Sequence, residues 1–346
     1  MSALKKSAVL YHYPCPDGAF AALAAHLYFS AASLPVLFFP NTVYDPIKSD
    51  SLPLDEIDAV YLLDFVGPPG FVADLSSKVD SVTILDHHKT ALETLCGNAV
   101  IGKNVTKIID MKRSGATIAF GFFRQKLLER ANASESHVVA SSSASEVKFL
   151  PDSKLERVNN LFKFIEDGDL WRWALPHSKA FSSGLKDMEI EYNVNVNSML
   201  FHQLLALDPE QVISHGKETL AHKQRLIDEA LQQSYEIELG SAQFGHCLAV
   251  DADSISNLRS ELGHQLANKS RNLQLRGIGA VVYKVPELNN EQMLKVSLRS
   301  VDLEDTTSIS QKYGGGGHHN ASSFMISIGD FERWKVRSKP SKGATE

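Results

Sequence analysis

The chain has 346 residues, 43% of them apolar, with a formal net charge of −6. That length exceeds one typical domain, so two domains with real cores are expected. The mildly acidic balance argues against a non-specific duplex binder, which needs a basic face; a small phosphorylated substrate stays compatible, because a metal supplies positive charge locally.

Residues 7–13 read as a buried strand, and Asp17 to Ser30 as an Ala-rich helix. Val36–Phe39, Ala59–Leu63 and Val82–Leu85 are further short apolar runs, with helical patterns between and after them, including Ser114 to Arg130. Short apolar strands alternating with helices predict an α/β domain with a mainly parallel sheet. The Ser- and Ala-rich stretch 131–152 reads as a mobile insertion, ordered only in part. A helix resumes near Ser153, which is placed to cap it with Glu156 three residues on. Asn197 to Gln233 is helical, broken at Asp208-Pro209. From Gln243 a second α/β pattern runs through FGHCLAV, a helix near Ser256–Asn268, IGAVVYKV, MLKVSLRS and FMISI. The expected organisation is a catalytic domain over 1–185, a helical connector over 186–240, a smaller α/β domain over 241–335 and a disordered tail over 336–346.

Cys15, Cys96 and Cys247 are far apart and odd in number, so a reducing compartment is favoured over a disulfide framework. The start MSALKKSAVLYHY runs from two lysines directly into a strand-like segment, without a signal-peptide pattern. No uncharged apolar run reaches the ~18 residues of a membrane span. A cytoplasmic protein with no membrane partner is expected, with oligomeric state open and a homodimer compatible.

Several acidic residues sit where strands end. Asp64 closes AVYLLD, Asp86 closes the run before His87 and His88, Asp17 follows AVLYHYPCP, and Asp169 lies in IEDGDLW. In open parallel sheets ligands bind beyond the carboxyl ends of the strands. A dinuclear site needs several carboxylates, one of them bridging, and usually imidazoles. Oxygen and imidazole donors suit Mn²⁺, Mg²⁺ or Co²⁺ better than thiolate-selecting metals. Two such ions ~4 Å apart activate water and stabilise displacement at phosphorus. The candidate set is His12, Asp17, Asp64, Asp86, His87, His88 and Asp169. In the second domain Gly314 to Gly317 permit close backbone approach to a phosphate or base. Arg299 ends VSLRS, where a guanidinium fork suits phosphate oxygens. Trp171 and Trp173 read as core side chains more readily than as stacking platforms.

The ordered set HYPCPDG, LLDF, LDHHKT and EDGDLW resembles the four motifs of the DHH phosphoesterase superfamily. That group includes nanoRNases, cyclic dinucleotide phosphodiesterases, single-strand exonucleases and family II inorganic pyrophosphatases. The resemblance implies two ions, with Asp64 bridging, His12, Asp17, His87 and Asp169 as further ligands, His88 facing the phosphate and Asp86 orienting its neighbours. Asp167 is the nearest rival to Asp169. The first motif departs from the usual pattern: its form is H-x-x-C-x-D-G, with Cys15 two residues before Asp17. VSLRS, a short helix, KYGGGGHHNAS and an apolar strand resemble the DHHA1 domain paired with this catalytic domain. That likeness implies that Arg299, Gly315, Gly316, Gly317 and His318 hold the nucleotide end of the substrate; Arg259 and Ser260 face either the cleft or solvent. The expected activity is metal-dependent hydrolysis of a phosphoester in a short nucleotide or single-stranded nucleic-acid substrate. The alternatives are a nucleotide-binding regulator with a degenerate site and a 3′,5′-bisphosphate nucleotidase.

Overall fold

The computed structural model describes residues 5–42, 44–96, 102–135, 148–286, 290–301 and 304–336. The chain divides into two compact units, Met1–Thr219 and Leu220–Glu346.

In the first unit the short apolar runs become strands β1 (Lys6–His12), β2 (Val36–Asn41), β3 (Ile57–Leu63), β4 (Ser81–Asp86) and β5 (Val105–Ile109). They form one sheet in the order β2-β1-β3-β4-β5, and every pair is parallel. The chain leaves β1 to one side for β2 and returns on the other side for β3. The β1–β3 boundary is therefore the switch point where α/β sheets bind ligands. Register brings the strand ends level: Tyr11 pairs with Leu63, and Leu63 with Leu85. His12, Asp64 and Asp86 follow directly and line up along the carboxyl edge.

Helix α1 (Pro16–Ala31) is buried along most of its length. Its alanines at 19, 21, 22, 24 and 25 are fully buried, and their small side chains let it lie close against its neighbours. It shares one core cluster with Leu63 and Leu85 and with residues of α4 (Gly115–Glu135), α5 (Asp152–Asp169) and α6 (Ser178–Asp187). Phe20, Phe120 and Phe162 meet there, ring to ring. A second cluster joins Ala8, Leu62 and Ile84 to residues of α2 (Phe71–Lys78) and α3 (Lys89–Cys96). Alternate residues of each strand thus feed opposite clusters, as the pleat requires. α7 (Leu200–Ala206) and α8 (Pro209–Gln232) follow, separated at the expected Asp208-Pro209 break.

In the second unit β6 (Tyr235–Glu238), β7 (His246–Asp251), β8 (Ile278–Tyr283), β9 (Met293–Ser300), β10 (Gly316–His318) and β11 (Ala321–Ser327) form a sheet in the order β10-β11-β9-β8-β7-β6. Only the β7–β8 pair is parallel. Leu262 and Leu266 of α9 (Arg259–Asn272) pack in one cluster with Val250 and Val281. Ile309 of α10 (Thr307–Lys312) and Phe331 of α11 (Ile328–Glu332) pack in another, with Ala280 and Leu298. The α/β class expected from the sequence is the class observed.

Local expectations need correction. The helix read as Ser114–Arg130 runs Gly115–Glu135, into the stretch read as a mobile insertion. The far end of that stretch is also ordered, with Phe149 and Leu150 buried against the core; residues 136–147 lie outside the described ones. Ser153 does not cap α5. The helix begins at Asp152 behind Pro151, without a side-chain cap; proline's fixed φ and missing N–H favour a helix start at this point. Of the tail, Val336 donates its N–H to Glu236, and 337–346 lie outside the described residues.

Candidate functional site

Strand geometry delivers the first residues. His12 ends β1, and its Nδ1 lies 3.1 Å from Asp64 Oδ2. Asp64 follows β3 in the left-handed region, at φ 65°. Its N–H donates to Leu85 at 2.8 Å, which fixes it to the end of β4. Aspartate is among the few side chains that tolerate this backbone. Asp86 ends β4, and its Oδ1 accepts the N–H groups of His87 at 2.7 Å and His88 at 3.2 Å. The same oxygen lies 2.8 Å from His88 Nδ1. Asp86 therefore holds the turn and one imidazole together.

Helices deliver the rest. Asp17 lies in the first turn of α1, 1% exposed, with Oδ1 accepting the Ala116 N–H at 3.1 Å. Asp169 ends α5. His87 Nε2 lies 3.1 Å from Asp64 Oδ1, 3.5 Å from Asp169 Oδ2 and 3.7 Å from Asp17 Oδ2. None of these four buried atoms has a hydrogen-bond partner. Buried polar atoms without partners are rare and call for an explanation. Three carboxylate oxygens and one imidazole nitrogen converging in this way match the donor set of a divalent cation. Three sets of donor atoms lie close enough to share an ion: Asp17, His87 and Asp169; Asp64, Asp86, His87 and His88; and His12, Cys15 and Asp64, so Asp64 and His87 each belong to two.

The electrostatics fit a site built for added positive charge. Burial first, then Asp64 and Asp169, hold the Asp17 carboxyl well above the usual carboxylate range. Asp169 is raised by burial and by Asp64, against the opposing pull of the histidines. Burial opposes ionisation of Asp64 as well, but His12 and His87 outweigh it and leave its carboxyl below the usual range. The His88 imidazole is pushed up to about 9, chiefly by Asp86. Burial, then Asp64 and Asp17, push the Cys15 thiol up to about 12. That opposes a thiolate at neutral pH while no cation is bound beside it.

The rival Asp167 does other work. Its oxygens accept the N–H groups of Ala174 at 3.0 Å and Leu175 at 3.2 Å, securing the turn after α5. Within that turn Trp171 and Trp173 both have positive φ and meet edge to face. Trp171 is 79% exposed, which corrects the core reading; the turn's tight backbone throws the indole outward.

The sequence reading missed Gly115. A Cβ there would sit 2.7 Å from Asp64 Cβ, 2.8 Å from Asp64 Oδ1 and 2.9 Å from Asp17 Oδ2. The start of α4 is thus pressed directly against two site carboxylates. Ser114-Gly115 at a helix start after a strand was the available signal, but glycine there is equally common for reasons of backbone alone.

In the second unit Arg299 lies in β9, and its Nη2 donates to Ser260 Oγ at 3.0 Å. Gly263 gives Arg299 room, since a Cβ there would lie 2.7 Å from Arg299 Cγ. Gly316, Gly317 and His318 form the exposed strand β10, paired with β11 across the His319-Asn320 turn, and Gly315 precedes it. Gly315 and Gly317 have structural reasons, because side chains there would meet the β11 backbone. Gly314 and Gly316 face open space.

No family model matches the chain. It is 23% identical over 329 residues to an uncharacterized protein of Acanthamoeba polyphaga mimivirus, covering 92% of this chain and 67% of that one. Among solved structures it is similar to exonuclease RecJ bound to manganese, at 16% identity and TM-score 0.41, covering 95% of this chain and 88% of that one. It is also similar to the pGpG-specific phosphodiesterase PggH from Vibrio, at 12% identity and TM-score 0.36, covering 95% of each chain. An exopolyphosphatase-related protein from Bacteroides fragilis matches at 13% identity and TM-score 0.37, over 93% of this chain and 86% of that one. At TM-scores of this size the functional reading rests on the site itself. Among the described residues no helix is long and apolar enough to cross a membrane.

Proposed function

We propose that the protein is a metal-dependent phosphoesterase that hydrolyses short nucleotide substrates. One observation carries the reading: the unpartnered atoms Asp17 Oδ2, Asp64 Oδ1, His87 Nε2 and Asp169 Oδ2 converge beyond a parallel sheet. Asp17, Asp64, His87 and Asp169 would hold one divalent ion, and His12 with the other oxygen of Asp64 would hold a second, with Mn²⁺ the first choice over Mg²⁺ or Co²⁺. When bound, such ions supply Lewis acidity and lower the pKa of water at phosphorus.

The side chains supply orientation and charge. Asp86 holds His88 through Nδ1 and favours its protonated form, so that Nε2 would donate to a phosphoryl oxygen as negative charge builds there. Gly115 keeps the start of α4 close enough to brace two ligands. Arg299, Gly315, Gly316, Gly317 and His318 would bind the nucleotide end, as the DHHA1 resemblance implies. The convergence of charged ligands favours an enzyme over a nucleotide-binding regulator with a degenerate site.

The test is a substrate panel on chelator-treated protein resupplied with Mn²⁺. It contains dinucleotides, cyclic dinucleotides, short RNA and DNA, 3′,5′-bisphosphates and pyrophosphate. Short nucleotide esters should be hydrolysed, and Asp64→Ala and His87→Ala should abolish turnover while circular dichroism stays native. Full activity in either variant would remove the metal reading.

A further inference from the structure

Beside the carboxylate cluster the first unit has a cavity of about 330 Å³, floored by His12, Asp64, Asp86 and His88. That is at the lower end of the roughly 300–1,000 Å³ of small-molecule sites. Its walls are preformed: Phe65, Val66 and Ala91 are buried members of the core beneath. Thr90 and Thr94 stand on the same face of α3, one turn apart, and both line the cavity. Neither hydroxyl is hydrogen-bonded to another described residue, so both are free to meet a ligand. Among the described residues the lining contains no lysine or arginine. His88 and an ion on Asp64 put positive charge only at the floor; above it, towards Phe65, Val66, Thr90 and Thr94, the described lining carries no charged side chain, so a second phosphate there would find no cation to neutralise it, and burying such charge unpaired is costly. Apolar walls with two free hydroxyls instead suit an uncharged ring bearing hydroxyl groups.

Resting on the metal-centre reading above, we propose that this cavity seats one neutral nucleoside on one side of the scissile phosphorus. It thereby selects nucleotide esters over pyrophosphate and polyphosphate. The selecting residues are Phe65, Val66, Thr90 and Thr94, all in the first unit, independent of Arg299 and the glycine-rich loop.

Equilibrium calorimetry on the full-length, Mn²⁺-saturated protein tests this without requiring turnover. The probes are GMP, methyl phosphate and inorganic pyrophosphate. GMP should bind at least tenfold more tightly than pyrophosphate. Thr94→Trp fills the cavity and should weaken GMP at least tenfold, with methyl phosphate affinity held within twofold. Thr90→Lys, at an exposed position that tolerates substitution, should shift the GMP-to-pyrophosphate preference at least tenfold towards pyrophosphate. It also decides the matter should Thr94→Trp fail to fold. Pyrophosphate binding as tightly as GMP in the native protein would overturn the proposal. So would an unaltered GMP preference in the folded variants. A protein that takes up no Mn²⁺ would instead overturn the metal reading beneath it, which direct Mn²⁺ titration separates.

Discussion

Replacing Gly115 by alanine tests whether the start of α4 sets the geometry of the centre. The new methyl would lie 2.7 Å from Asp64 Cβ, 2.8 Å from Asp64 Oδ1 and 2.9 Å from Asp17 Oδ2. Carbon atoms pack at about 3.5–4.0 Å, so the carboxylates or the helix must yield by about an ångström. Functional constellations tolerate about 0.5 Å. Overpacking of this kind costs about 1–3 kcal/mol, and disturbing the support of metal ligands commonly costs about 10–100-fold in affinity. Gly115→Ala should therefore bind Mn²⁺ at least tenfold more weakly. At saturating metal that removes about 1.4 kcal/mol of metal-dependent stabilisation, readable as a smaller rise in melting temperature on adding Mn²⁺. Gly316→Ala, where a Cβ meets nothing within 4 Å, is the matched control. If Gly115→Ala takes up Mn²⁺ with native affinity, α4 does not brace the ligands and the argument from close approach fails.

Three further outcomes are expected. Metal-free protein should lose stability as pH rises from about 4 to 9. Asp17 and Asp169, with raised folded pKa values, stabilise most while protonated, and the His88 contribution, whole below about 6.5, is lost through about 9. The Asp64 contribution, of opposite sign, is confined below its ordinary value of 3.8; thermal melts in chelator should show Asp17→Asn flattening the acid part of the profile, and an unchanged slope would contradict it. Asp167→Ala should cost about 1–3 kcal/mol in denaturant unfolding, because it strips the Ala174 and Leu175 N–H groups of their acceptors, whereas Asp169→Ala should lose Mn²⁺ binding with no loss of metal-free stability. Arg299→Ala should raise KM for dinucleotides while leaving Mn²⁺ affinity as in the native protein; a matching loss of metal would place Arg299 in the centre's support.

Much of the centre was legible because strand ends announce themselves: an apolar run closed by aspartate puts that aspartate at a sheet edge whatever the strand order. Asp64, Asp86 and His87 were found in this way, and the register of β3 and β4 brings them level. The strand β5 was not found. Its three middle residues are exposed, so it lacks the apolar signature of its buried partners. Ser153 misled because a capping sequence competes with the backbone preference of Pro151, one residue ahead of the helix. Trp171 misled because bulk and apolarity ordinarily mean core, and nothing local declares a left-handed turn at a tryptophan. The role of Gly115 depends on a contact between residues 51 positions apart, Asp64 and Gly115, which no local pattern encodes.

The left-handed backbone at Asp64 constrains how this centre can change over generations. A β-branched or bulky replacement would lose the conformation together with the charge, whereas asparagine keeps the conformation and loses only the charge. A lineage drifting away from catalysis therefore has a single-step exit that leaves the scaffold standing, and its trace would be asparagine or glycine after β3 in a sequence otherwise able to fold. Across relatives, aspartate kept at that place would report selection on its charge, because the backbone alone would accept asparagine or glycine.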